Sequence, residues 1–325
     1  MTLSELARLA HVSISTASKA FTMSKEVNEE TRELIFSVAK ENGCFKKFFN
    51  AKYPKYVVAL ICPEIKSYTY SNLCLEIQEL LNSFNCEVCI STSEFSSENA
   101  KERLAYYDKY SSVDAVVLID TDVDMVSEYM VPIVSVGSEV KNPVTTITIG
   151  YDEAMKQTVS DFFEHGYRDI IYIGERLSVI KNSIFKDISK TMLKTAESES
   201  IFLIDERFEQ GGYTAAKAIF NSRNGKFPKV AICAYDNMAF GVMRFLNEQG
   251  INVPIDVKVI GMDNILTDNY YSPRLSSIDP MNKKVAEVVS KSVFEILNGK
   301  TEQNEYRFIP DLIYRDSSNY DIKSE

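Results

Sequence analysis

Along the first 43 positions apolar and polar residues alternate at helical spacing. Leu3, Leu6, Ala7 and Ala10 stand at i, i+3, i+4 and i+7, one apolar stripe along a short helix. Thr2-Leu3-Ser4-Glu5 has capping-box spacing: a hydroxyl for the first turn and a glutamate three residues on that reaches back. His11 follows as a turn residue suited to left-handed backbone. Ser13 predicts the cap of a second helix over residues 14–21, buried along Ala17, Ala20 and Phe21. Asn28, with Glu29 and Glu30 behind it, predicts a third, striped by Leu34, Ile35, Val38 and Ala39 and ended by Gly43. The turn between the first two helices is short enough for a helix-turn-helix, and the second helix keeps Ile14, Ser15, Ser18 and Lys19 on its outer face.

From Tyr56 onward continuous apolar runs replace stripes. Residues 56–61, 86–91, 115–119 and 131–136 read as strands, with helices over 71–84 and 97–110 among them. Uninterrupted Val/Ile runs separated by helices predict a parallel sheet covered on both faces. The pattern then restarts: helix 155–165, strands 169–173 and 201–204, helix 212–221, strand 230–234, helix 237–249 and strand 257–260. Two such lobes enclose a cleft, because ligands of open parallel sheets bind outside the carboxyl ends of the strands.

A chain of 325 residues, 45% hydrophobic, can bury large cores in two or three domains. No run reaches the roughly 18 apolar residues of a membrane span. The sequence opens on a capped helix without the regions of a signal peptide, so a cytoplasmic protein with no membrane contact is expected. The net charge of −10 is unevenly placed: residues 1–56 carry nine Lys/Arg against six Asp/Glu, which leaves −13 on the remainder. A basic head on an acidic body suits contact with nucleic-acid phosphates through the head alone. Among the six cysteines, Cys86 and Cys89 have redox or half-zinc-site spacing, but no second pair accompanies them and the only histidines are His11 and His165. Buried strand cysteines are expected, with no metal and no cofactor. No P-loop or Gly-x-Ser-x-Gly elbow marks an enzyme.

Residues 2–10, Val12-Ser13-Ile14-Ser15-Thr16-Ala17-Ser18-Lys19 and Val27-Asn28-Glu29-Glu30-Thr31-Arg32 resemble the DNA-binding headpiece of the lactose-repressor/galactose-repressor family of bacterial transcription regulators. Ile149-Gly150-Tyr151-Asp152 and the segments 166–174, 234–241, 257–264, 273–280 and 309–317 extend the resemblance over nearly the whole chain. It implies an α/β protein with a three-helix helix-turn-helix domain at 1–43 and a linker with an atypical hinge at 44–56. A two-lobed, periplasmic-binding-protein-like body with parallel sheets occupies 57–325, lobe 1 about 57–155 and 282–306, lobe 2 about 156–281 and 307–325. Ile14, Ser15 and Lys19 match base-reading positions; Thr2, Ser13, Thr16, Ser18, Lys46 and Lys47 are further candidates for DNA contact. Tyr68 and Tyr70 match stacking aromatics, and Asp152 and Asp263 match contacts to ligand hydroxyls; Asp120, Phe208 and Tyr235 complete the candidate ligand set. The chemistry suits a polyol, since carboxylates accept paired hydroxyl hydrogen bonds and aromatic faces cover a sugar ring. Helix capping by the aspartates and core packing by the tyrosines are the alternatives.

Two features depart from the family. The linker lacks its Tyr-x-Pro-Asn start and hinge-helix leucine; Phe48, Phe49 or Tyr53 is left as a wedge for the minor groove or as packing on the head, and Lys52 and Lys55 as phosphate contacts or a solvated linker. In the body, Tyr235 replaces an asparagine, and the ligand-clamping arginine has no counterpart between Ser183 and Leu193, where Ile184 aligns with it. The expected protein is a sequence-specific DNA-binding transcription regulator, a repressor, acting as a homodimer on a double-stranded operator. Its small-molecule effector is expected to be a sugar bound between the lobes. A phosphosugar, another non-sugar effector or a protein co-regulator is the alternative, and a non-enzymatic sugar-binding protein a further one.

Overall fold

The computed structural model describes residues 1–48, 56–121, 129–138, 143–300 and 302–320. In the head, α1 (Leu3–Leu9), α2 (Ile14–Phe21) and α3 (Glu29–Glu41) begin on the predicted caps. The capping box closes both ways, Glu5 N–H to Thr2 Oγ1 at 3.2 Å and Thr2 N–H to Glu5 Oε2 at 2.6 Å. Ser13 Oγ accepts the Thr16 N–H at 2.9 Å, and Asn28 Oδ1 accepts that of Thr31 at 2.8 Å. His11 takes the left-handed backbone expected of it, φ 53°.

The head does not stop at Gly43. Cys44 is buried, and α4 (Phe45–Phe48) lays Phe45 and Phe48 on the same core as Leu6, Ala20, Phe21 and Ile35. The ring centroids of Phe21 lie 5.9 Å from Phe45 and 5.7 Å from Phe48, and Phe36 lies 5.0 Å from Phe45. The packed core of the head thus continues past Gly43 into the aromatic turn. Three short helices enclose little apolar volume, and the aromatic turn enlarges the core they share.

The first lobe is a sheet built from β1 (Tyr56–Cys62), β2 (Cys86–Thr92), β3 (Ala115–Ile119), β4 (Ile133–Val136) and β5 (Thr145–Ile149), with α5 (Tyr68–Ser83) and α6 (Ser97–Lys109) between strands. The second begins with α7 (Tyr151–Glu164) and continues through β6 (Ile170–Glu175), α8 (Val179–Ile188), α9 (Glu197–Ser200), β7 (Ile201–Ile204), α10 (Phe208–Ser222), β8 (Val230–Cys233), α11 (Asp236–Glu248), β9 (Lys258–Gly261) and β10 (Ser276–Asp279). The chain then returns to the first lobe for α12 (Asn282–Leu297) and β11 (Asn304–Phe308), and ends in the second with β12 (Asp311–Ile313). The strand orders are β11-β5-β4-β3-β1-β2 and β12-β10-β9-β8-β6-β7, parallel throughout except for β12 against β10.

The lobe crossings differ from the expected ones by a few residues. Ala154 and Met155, placed in the first lobe by the sequence, are buried in the second-lobe core because α7 packs there as one helix. Arg307 and Phe308, expected in the second lobe, pair with Thr148 and Ile149 in the first sheet. Several helices also start earlier than predicted: α5 at Tyr68, α7 at Tyr151, α10 at Phe208. Their first turns lie at the carboxyl ends of the strands and carry polar and aromatic residues toward the cleft, so apolar periodicity does not mark them. Cys86 is buried as expected, but Cys89 is exposed because β2 is an edge strand with one open face. All six cysteines are free.

If α4 is part of the head core, Phe48→Ala removes a partly buried ring and lowers head stability by about 2 kcal/mol, below the range for a fully buried Phe. Thermal melting of the isolated transition checks this, and the bend of the bound DNA should be unchanged, where loss of a minor-groove wedge would reduce it.

Candidate DNA-reading face and interlobe cleft

On α2 the burial follows the predicted faces: Ala17, Ala20 and Phe21 are inside, while Ile14, Ser15 and Ser18 are exposed. Ile14 leaves about half its surface to solvent (53%), an apolar side chain held out on a polar face and suited to a thymine methyl. Lys19 stands beside them and donates to Glu26 from the loop ahead of α3. Not every candidate is free for DNA. Thr2 and Ser13 serve as helix caps, and the Thr16 hydroxyl lies 2.8 Å from Ser13 Oγ. Lys47 Nζ donates to the Met1 carbonyl at 3.0 Å, which turns it back onto the head. The Lys46 side chain and Phe49, Lys52, Tyr53 and Lys55 lie outside the described residues.

A cavity of about 1180 Å³ separates the lobes at the carboxyl ends of both sheets. Tyr68 and Tyr70 reach it from the first turn of α5, Asp120 from the end of β3, Phe208 from the start of α10, Tyr235 and Asp263 from the ends of β8 and β9. Asp120 holds a left-handed backbone, φ 42°, and its carboxylate fills the space over Gly137, where a Cβ would stand 1.9 Å from Oδ1. Asp152 does not join this group. It lies one helical step from the cleft and pairs with Arg307 at 3.2 Å, while its neighbour Tyr151 lines the cavity instead. Successive helical residues point about 100° apart, so only one of the two can face inward.

The phenols of Tyr70 and Tyr151 are held well above their usual pKa, by burial first and then by the charge of Asp120. Burial pushes Asp263 up to about 7, with the charge of Lys181 opposing it. Thr69 donates to the Asp263 carboxylate from across the cleft, a contact from lobe to lobe. Lys181 was not among the sequence candidates. It projects from α8, donates to the carbonyls of Ala234 (2.6 Å) and Met262 (3.5 Å), and stands 5.0 Å above the Tyr151 ring. It is a second-lobe cation that reaches the ends of β8 and β9. Its sequence signal was weak, one of two lysines on an amphipathic helix, and its destination depends on the packing of α8.

Beneath Asp263, Ser277 and Asp236 fix the strand ends. Ser277 Oγ donates to Asp236 Oδ1 at 2.6 Å and accepts the N–H groups of Asp263 and Asn264 at 3.0 and 2.9 Å. Ile265 N–H reaches the other Asp236 oxygen at 3.0 Å. Burial, then the neighbouring charge of Asp268, raises Asp236 well above the ordinary carboxylate value, and burial pushes Asp268 up to about 7. Asp268 is fully buried, 3.6 Å from Arg315. Among the described residues no group of His, Cys, Asp or Glu has the arrangement of a metal site, and no helix is long and apolar enough to cross a membrane.

A helix-turn-helix head with an open reading face, joined to two parallel-sheet lobes around a polar cleft, defines a DNA-binding transcription regulator with a ligand-binding body. Comparison with known proteins gives the same class. Residues 2–43 match the model of the bacterial regulatory proteins of the lacI family, and residues 159–318 that of the periplasmic binding protein-like domain. The HTH-type transcriptional regulator RegA of Clostridium saccharobutylicum is 24% identical over 330 residues, 97% of this chain and 98% of its own. A lac repressor dimer solved with operator and the anti-inducer ONPF has the same fold, TM-score 0.70 at 17% identity, over 98% of this chain and 99% of that one. The transcriptional regulator CelR, solved as a cellobiose complex, gives 0.67 at 21%, over 98% and 100%. Residues 2–43 are thus a lacI-family DNA-binding domain, and the chain is similar over nearly its whole length to curated transcription regulators.

Asp268 binds its proton more tightly folded than unfolded, so the stability it contributes is complete below the ordinary value of 3.8 and is lost as pH rises through about 7. Asp268→Asn removes that dependence. The melting temperature of the variant relative to the wild type should rise between about pH 5 and pH 8.

Proposed function

We propose that the protein is a repressor that binds a near-palindromic operator as a homodimer and is controlled by a sugar held between its lobes. The observation that carries this reading is the joint presence of the open α2 face and a cleft walled by tyrosines and by the carboxylates of Asp120 and Asp263. Two heads on one two-fold axis read two half-sites, which gives a short helix enough specificity. Ile14, Ser15 and Lys19 are the base readers, and Ser18 touches phosphate. Asp120, Asp263 and the phenols of Tyr70 and Tyr151 take the ligand hydroxyls, with Tyr68 and Phe208 against the ring. The cellobiose complex of CelR and the operator-bound dimer of the lac repressor support both halves of this reading. A phosphosugar is the second reading, favoured by Lys101 and Lys181 in the cleft wall.

Selection of bound duplexes from a random pool, at two salt concentrations and with a panel of sugars and sugar phosphates, tests the proposal. The expected product is a palindrome whose affinity falls with salt and is shifted by one sugar. On that palindrome Lys19→Ala should lose about 10-fold in affinity, chiefly at one base position, as removal of a base contact does. Titration calorimetry with the active sugar should show Asp263→Asn binding it at least about 10-fold more weakly above pH 7, where the amide replaces an ionised carboxylate with two acceptor oxygens.

A further inference from the structure

The expected clamp arginine is absent, yet the cleft holds an arginine whose donors are turned on the protein itself. Arg207 lies just ahead of α10 in the second lobe. It forks onto Glu64, which follows β1 in the first lobe, through Nη1 at 2.9 Å and Nη2 at 2.7 Å. Its Nε and Nη2 also reach Glu175, at the end of β6 in its own lobe, at 2.6 and 3.1 Å. Glu64 and Glu175 are both buried, 8% and 3% exposed. Phe95 of the first lobe and Phe208 of the second lie 5.5 and 4.7 Å from the guanidinium. Burial works against the charged form of Arg207, but the hydrogen bonds to Glu64 and Glu175 outweigh it and raise its pKa above the usual arginine value.

We propose that the Arg207–Glu64 pair is a built-in strut that holds the two lobes closed without an effector. The proposal deepens, and rests on, the reading of the cleft as the effector site. In a two-lobed binding module the ligand bridges the lobes by touching both; here the Arg207 fork makes such a bridge from side chains alone. Opening the lobes would break both hydrogen bonds of the fork and leave Glu64 only water in exchange. The Thr69–Asp263 hydrogen bond ties the lobes a second time. An effector then works inside a cleft that is already shut, filling the space beside Asp120, Tyr70 and Tyr151 rather than drawing the lobes together. Glu64 and Arg207 are positioning residues for this closure.

Glu64→Gln is the informative variant, because Arg207 keeps Glu175 as its partner and the second lobe keeps a paired charge. Cys89 is the exposed one of the six cysteines and sits in the first lobe; Lys217→Cys adds a second exposed thiol on α10. Spin labels on the two thiols of the full chain, diluted with unlabelled protein so that only distances within one subunit register, give the lobe separation by pulsed dipolar spectroscopy. Without sugar, the protein with Glu64 intact should show one narrow distance that cellobiose and the other sugars of the panel leave in place. Glu64→Gln should broaden it toward longer separations. A broad or long distribution with Glu64 intact, or identical distributions with and without Glu64, would overturn the strut. The first of these outcomes needs only the labelling thiols and not Glu64→Gln, so it decides even if that variant does not fold. The distance measurement uses no DNA, so failure of operator selection leaves this test standing, and failure of the strut leaves operator binding untouched.

Discussion

Arg207 sits where the carboxyl ends of two parallel sheets face each other, and that facing arrangement constrains the rest of the body. Each sheet has its own core on both sides, one around Leu60, Val117 and Ile77, the other around Ile173, Ile232 and Phe245. Neither core extends across the cleft. What joins the lobes is largely polar: the Arg207 fork, the Thr69–Asp263 hydrogen bond, the ion pairs of Arg307 with Asp152 and Glu153, and the chain crossings beside Gly150, Pro280 and Ile309. Polar contacts at a cleft are strong while water is excluded and are weakened when it enters.

The same strand ends collect the chemistry. Ser277 and Asp236 lock the segments after β8 and β9 onto β10, and so hold Asp263 and Tyr235 at fixed places in the wall. The buried acids beneath them are unfavourable when ionised, a local loss of stability that the surrounding apolar core of the second lobe absorbs. Structural and ligand-facing carboxylates thus lie side by side, and burial with partners separates them: Asp236 is saturated by Ser277 and Ile265, while Asp263 faces the cavity.

The head obeys a different constraint. Its core is small, and the aromatic turn Phe45–Phe48 adds to it instead of running on as part of a linker. This makes the recognition helix part of a closed unit in which Phe21 touches three other rings. The reading face can then remain exposed without loss of packing beneath it.

Local chemistry determined much of this from sequence alone. The three caps of the head, the left-handed turn at His11, the buried strands and the restart of the α/β pattern are decided within a few residues by hydrogen bonding and periodicity, so they are legible before folding is considered. The position of Tyr68, Tyr70, Asp120, Phe208, Tyr235 and Asp263 along the cleft was also legible, because strand ends of parallel sheets converge there. Tertiary structure decided the rest. Whether Tyr151 or Asp152 faces inward depends on the rotation of α7 on its sheet, and the targets of Lys181 and Arg207 depend on where several rotatable bonds can reach once two lobes meet. Phe48 could pack or wedge until the head core was assembled around it. Pattern fixes the path of the backbone; the ends of long side chains are placed by neighbours distant in sequence.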